Sequence, residues 1–140
     1  MSDTGWGQGR GRACESPRPG FLGERSSTLS SLAYLAAAAL PGTRRAGPWY
    51  AVLVAGIGVG SVVQHGPNPR GSDLVHDLPL AATLAFVAAD AAAALRRRPR
   101  QERWWLAPTV ALVPVVAVAP RAADALQAGI AAVAVGLSAA

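Results

Sequence analysis

The stretch Gly60–Leu80, GSVVQHGPNPRGSDLVHDLPL, is where one apolar segment ends, the chain turns and a second apolar segment begins. It holds both histidines of the chain, His65 and His76, and two of its eight acids, Asp73 and Asp77. On a helix Ser61 and His65 lie four residues apart, so a hydroxyl and an imidazole share one face. Gly66, Pro67, Asn68, Pro69 and Gly71 then break the helix and reverse the chain, by fixed φ at the prolines and free φ at the glycines. A hairpin of this shape returns His76 and Asp77 toward the level of His65. Groups able to move protons or bind metal therefore converge at this one corner.

Working outward, the 140 residues are 51% hydrophobic and only 15% charged, and the apolar residues lie in Ala-, Val- and Leu-rich blocks separated by short polar joints. The pattern predicts an all-α integral membrane bundle. It has about five transmembrane helices, over residues 27–42, 48–65, 78–95, 104–119 and 122–140, in a domain running from 21 to 140. Residues 1–20 are rich in Gly, Arg, Pro and Ser, carry no apolar core and are expected to be largely disordered. The first block, Thr28 to Leu40, reaches only about 20 Å as a helix and needs its flanks to cross a hydrocarbon layer. Trp49 and Tyr50 open the second at interface depth, and Pro108 and Pro114 predict a kink in the fourth.

All thirteen basic residues are arginine, and most stand at the ends of apolar blocks. They read as topology signals and phospholipid contacts, and no nucleic-acid partner is expected. Arg44 and Arg45 in one joint, with Arg96, Arg97, Arg98, Arg100 and Arg103 in another, outweigh Arg70 and Arg121 on the opposite side. This predicts that the N-terminus and the Gly60–Leu80 corner lie outside, and the expected location is the bacterial plasma membrane. The single cysteine, Cys14, excludes an internal disulfide.

An imidazole, a carboxylate and a hydroxyl together allow a hydrolytic zinc site, a metal-free acid/base pair or a proton path. Zinc lowers the pKa of bound water to about 7, a carboxylate can take the proton, and a hydroxyl can hold a developing oxyanion. A catalytic zinc usually takes three protein ligands, and the chain has two histidines. Each residue also has a structural reading. Asp77, two before Pro79, is placed to cap the third span, the histidines can sit in the interface, and Ser61 can be a small packing residue among Gly56, Gly58 and Gly60. Asp90, inside the third span, is expected to reach toward Arg97 at the interface. No G-x-S-x-G elbow supports a serine-hydrolase triad, and no internal repeat supports a transporter.

The string GSVVQHGPNPRGSDLVHDLPL resembles the signature of the alkaline ceramidase family and its wider superfamily of seven-span membrane hydrolases. There a helix carries G-S-x-x-x-H and the next opens with an acid in an L-x-D-x-L-P context. Upstream, CESPRPGFLGERSSTLSSLAYL resembles the C-E motif and N-T-x-S-N-L opening of the same family, with Cys14, Glu15, Glu24, Thr28, Ser30 and Leu32 in place. The match covers roughly residues 14–95.

The resemblance implies a zinc-dependent amidohydrolase cleaving ceramide or a similar membrane lipid. His65 would be a zinc ligand, and Ser61 and Asp77 would arrange or deprotonate the metal-bound water. His76 is a candidate second ligand, and Glu15 and Glu24 fall where the family places calcium-binding acids. Ser27 and Ser31 replace the asparagines of the opening motif. The H-x-x-x-H pair that supplies the family's remaining zinc ligands is absent from the chain, which is expected to lack the C-terminal part of the seven-span fold. The alternative is a non-catalytic membrane bundle that packs with a partner supplying the missing spans.

Overall fold

A computed structural model describes residue 18 and residues 20–140. The described residues are all-helical, with six helices: α1 (Arg25–Ala39), α2 (Pro41–Ala46), α3 (Pro48–His65), α4 (Ser72–Leu95), α5 (Arg103–Val118) and α6 (Pro120–Ser138). The expected disordered tail, with Cys14 and Glu15, lies outside them apart from residues 18 and 20. Among the described residues one helix, α4, is long and apolar enough to cross a membrane. α4 is also the hub, packing on α3, α5 and α6, while α1 joins the bundle through α3.

Several expected boundaries move. The joint after the first block is partly helical: Pro41 starts the short α2, and the Thr43 hydroxyl donates to the Ala37 carbonyl across the break at Leu40. α4 begins six residues before the expected Leu78, at Ser72, after Gly71 in the left-handed conformation (φ 82°). Asp77 is therefore inside α4 rather than at its N-cap, and Pro79 is accommodated within the helix. The ring of Pro79 leaves the Val75 carbonyl without its helical N–H donor. α5 runs continuously from Arg103 to Val118 with Pro108 and Pro114 inside it.

That freed carbonyl sits where α3 and α4 touch. A Cβ placed on Gly60 would lie 2.8 Å from the Cα of His76 and closer still to the Val75 oxygen. One turn earlier, a Cβ on Gly56 would meet the Pro79 ring at 3.0 Å. Glycine at 60 lets the two backbones approach directly, and glycine at 56 makes room for the proline ring. Gly58, on another face of α3, receives Leu35 of α1. Alternate glycines thus serve two neighbours.

Elsewhere α4 presents small residues inward. Ala82, Ala85, Phe86 and Ala89 pack with Trp105 of α5, flanked by Tyr50 and Leu53, and Ala81 packs with Leu112, Val116 and Ala123. The rings form a ladder: Tyr50 to Phe86 5.9 Å, Phe86 to Trp105 5.8 Å and Trp105 to Trp49 6.1 Å between centroids. Offset and edge contacts at these separations add to burial.

Gly60→Ala is expected to push α3 from α4 and destabilise the bundle by about 1–3 kcal/mol. Gly136→Ala on α6, where a Cβ would meet nothing within 4 Å, is expected to be neutral or stabilising by up to about 1 kcal/mol. Thermal denaturation followed by circular dichroism compares the two.

Candidate functional site

The ends of three helices meet at the predicted corner. α3 finishes on His65, α4 starts at Ser72, and α1 starts just after Glu24. The last carbonyls of a helix and the first N–H groups of another both lack intrahelical partners. Here they supply each other, since the Glu24 N–H donates to the His65 carbonyl at 2.8 Å. Side chains follow the same polarity. The Glu24 carboxylate lies at the positive end of α1 and the His65 imidazole at the negative end of α3, as the helix dipoles favour.

Glu24 is buried, 4% exposed, and its Oε2 is 2.8 Å from His65 Nδ1. His76 is held in the same way, its Nδ1 2.8 Å from Asp77 Oδ1. A carboxylate only accepts, so in each neutral ring the proton sits on Nδ1 and the Nε2 lone pair is left open. Neither Nε2 has a hydrogen-bond partner among the described residues. The two rings lie edge to face, 6.1 Å between centroids and 83° between planes. The turn that joins them is held by Asn68 in the left-handed region (φ 44°), which accepts from the Ser72 hydroxyl, and by Gln64, whose amide donates to Asp73 at 3.1 Å.

The hairpin expected from the sequence therefore does bring His65, His76 and Asp77 to one level. Its partners are arranged differently from the expectation. Asp77 pairs with its chain neighbour His76. Ser61 is buried, 5% exposed, and its hydroxyl makes no hydrogen bond among the described residues. Glu24, which the resemblance implies is one of two calcium acids, faces the His65 imidazole. Its companion Glu15 lies outside the described residues. The Glu24–His65 pair spans 41 positions, and the sequence signal for it was the sign of the helix ends: an acid before one helix and a histidine closing its antiparallel neighbour.

Among the described residues no group of three or more histidine, cysteine or acidic side chains could hold a metal ion. Measured against a catalytic zinc, which takes three protein ligands, the corner offers two oriented imidazoles and no third donor. The set falls short of a complete zinc site. Thr28, on the first turn of α1, is 2% exposed and its hydroxyl has no partner, an orphan close to Gly66 at this same corner.

The opposite end of α4 carries a second polar knot. Asp90 bonds Arg100 Nη1 at 2.9 Å rather than reaching Arg97. Arg97 itself takes the left-handed conformation (φ 52°) and reverses the chain, which carries Arg100 back over α4. There its guanidinium lies 3.8 Å from the Phe86 ring centroid and 3.5 Å from Glu102. Glu102 also accepts from the Trp105 indole N–H.

Glu24→Ala is expected to cost about 1–2 kcal/mol in thermal stability, the larger loss being limited by the partial exposure of His65. In ¹⁵N NMR of the neutral imidazoles the wild type is expected to show Nδ1–H tautomers at both histidines. In Glu24→Ala His65 alone becomes a tautomer mixture. Comparison of the chain with protein-family models, with curated proteins and with solved structures gives no match.

Proposed function

We propose that this chain is a membrane-embedded helical bundle of the ceramidase-like type its motifs resemble. Its Glu24, His65, His76 and Asp77 corner would be the ligand-orienting part of a zinc-dependent site for lipid-amide hydrolysis. One observation carries this reading. Two imidazoles on adjoining helices are each fixed at Nδ1 by their own carboxylate, with both Nε2 atoms open. Histidines that bind metals are oriented in this way, because the carboxylate fixes both the tautomer and the ring plane. In this reading His65 and His76 bind through Nε2, Glu24 and Asp77 position them, and Ser61 lies one turn from His65. The reading requires a third donor that the described residues do not offer, so no catalytic step is derived from the two histidines.

The membrane part rests on where the apolar surface lies. Only 33% of the most apolar window of α4 is buried inside the bundle. Large apolar side chains point outward on every long helix, among them Leu29, Val52, Val75, Val110, Val118 and Val135. In water such continuous apolar surface would drive association. In hydrocarbon it is the ordinary outer face, while small residues line the helix contacts. The arginine distribution then orients α2 and the α4–α5 turn toward the cytoplasm and the histidine corner toward the outer face.

A second reading is favoured by the same missing donor. Two cavities, one along α4–α6 and one around Asp90, are lined by neither histidine. A non-catalytic bundle that packs with a partner fits both facts.

The test offers zinc and ceramide to the full chain purified in mild detergent: retained zinc with release of fatty acid, both lost in His65→Ala, supports the first reading. In that outcome Glu24→Gln weakens zinc binding about 10- to 100-fold. A folded chain with neither metal nor turnover selects the second reading.

A further inference from the structure

The arginine-rich end of α4 opens into an apolar trough between α4 and α6, floored by α5, with a volume of about 650 Å³. Ala88 and Ala92 form one wall and Gly129 and Val133 the other. Trp104 and Arg96 close its end. The trough follows roughly 16 Å of α4, from Ala85 to Arg96. It begins about 14 Å along α4 from His76 and ends about 30 Å from it. Its width does not come from helices forced together, since a Cβ on Gly129 would meet nothing within 4 Å.

Of the arginines at this end, Arg96 lines the trough and Arg100 does not. Arg100 is committed to Asp90 and Glu102. Arg96 has no carboxylate partner among the described residues, and its guanidinium lies 5.4 Å from the centroid of the Trp104 ring. We infer that this trough holds one acyl chain of an anionic phospholipid, with the lipid phosphate on Arg96. An apolar channel of this length is filled by alkyl chain, and the exposed Arg96 guanidinium at its end is available to an anion, since Arg binds phosphate through two parallel N–H groups. A packed apolar helix from a partner or a second copy would fill the trough but leave Arg96 without a counter-charge. The stacked Trp104 and Arg96 stand where a membrane–water interface places such side chains.

This inference rests on the membrane part of the proposed function and not on its chemistry. The test uses the full chain reconstituted in phosphatidylcholine vesicles, whose flotation reports on membrane insertion separately. Tryptophan quenching by brominated-chain phosphatidylglycerol is compared with quenching by brominated-chain phosphatidylcholine. The expected result is an apparent affinity about fivefold higher for phosphatidylglycerol, as one interfacial charge contributes. Arg96→Gln is expected to abolish that preference, and Gly129→Phe, which fills open space, to reduce quenching by both lipids with unchanged helix content. A chain that floats yet shows equal quenching, unaltered by Arg96→Gln, overturns the inference and leaves the membrane reading standing. So does a Gly129→Phe chain that changes its oligomeric mass but keeps the lipid preference, which would assign the trough to a second copy.

Discussion

The backbone contact between α3 and α4 sets the rest of the bundle. Gly60 lies against the backbone of Val75 and His76, and Gly56 against the Pro79 ring. Pro79 removes one helical donor and leaves the Val75 carbonyl facing the glycine that approaches it. Without that approach His76 would stand farther from His65 by the width of a side chain, and their 6.1 Å separation would be lost. The contact also determines what α4 can do on its other faces. With α3 close on one side, its alanines are free to receive Trp105, Leu112 and Ala123 from α5 and α6.

The two ends of α4 carry opposite chemistry, and helix polarity is the reason. At its start three helix termini meet, so backbone groups with no partner in their own helices are paired across elements and acids and imidazoles gather around them. At its end a single reversal through Arg97 folds an arginine back onto an aromatic face between two acids. One end leaves imidazole lone pairs open. The other leaves a guanidinium open beside an apolar trough. Both depend on α4 staying one continuous helix.

Much of the corner was legible in advance. The run of Pro and Gly between two apolar blocks fixes a reversal, and helical spacing puts Ser61 and His65 on one side, so the meeting of His65 with His76 follows from chain geometry. The start of α4 was misjudged because Asp77 followed by Leu and Pro is a good capping pattern. Gly71 and Ser72 start the helix earlier, and its packing on α3 tolerates a proline in the second turn. Asp90 was assigned to Arg97 by spacing along a helix, but the helix had already ended, and a left-handed residue redirected the following arginines.

By itself, then, the order of residues determined that this chain is helical, that its helices carry apolar outer faces, and that both histidines share one turn. These are local matters, decided by periodicity and by φ at Pro and Gly. Which carboxylate each histidine takes was decided only by tertiary structure. Glu24 reaches His65 across 41 positions because α1 and α3 pack antiparallel through Gly58 and Leu35. Ser61 is buried and makes no hydrogen bond among the described residues. Such pairings depend on how near two backbones can come, and no spacing within one helix records that distance.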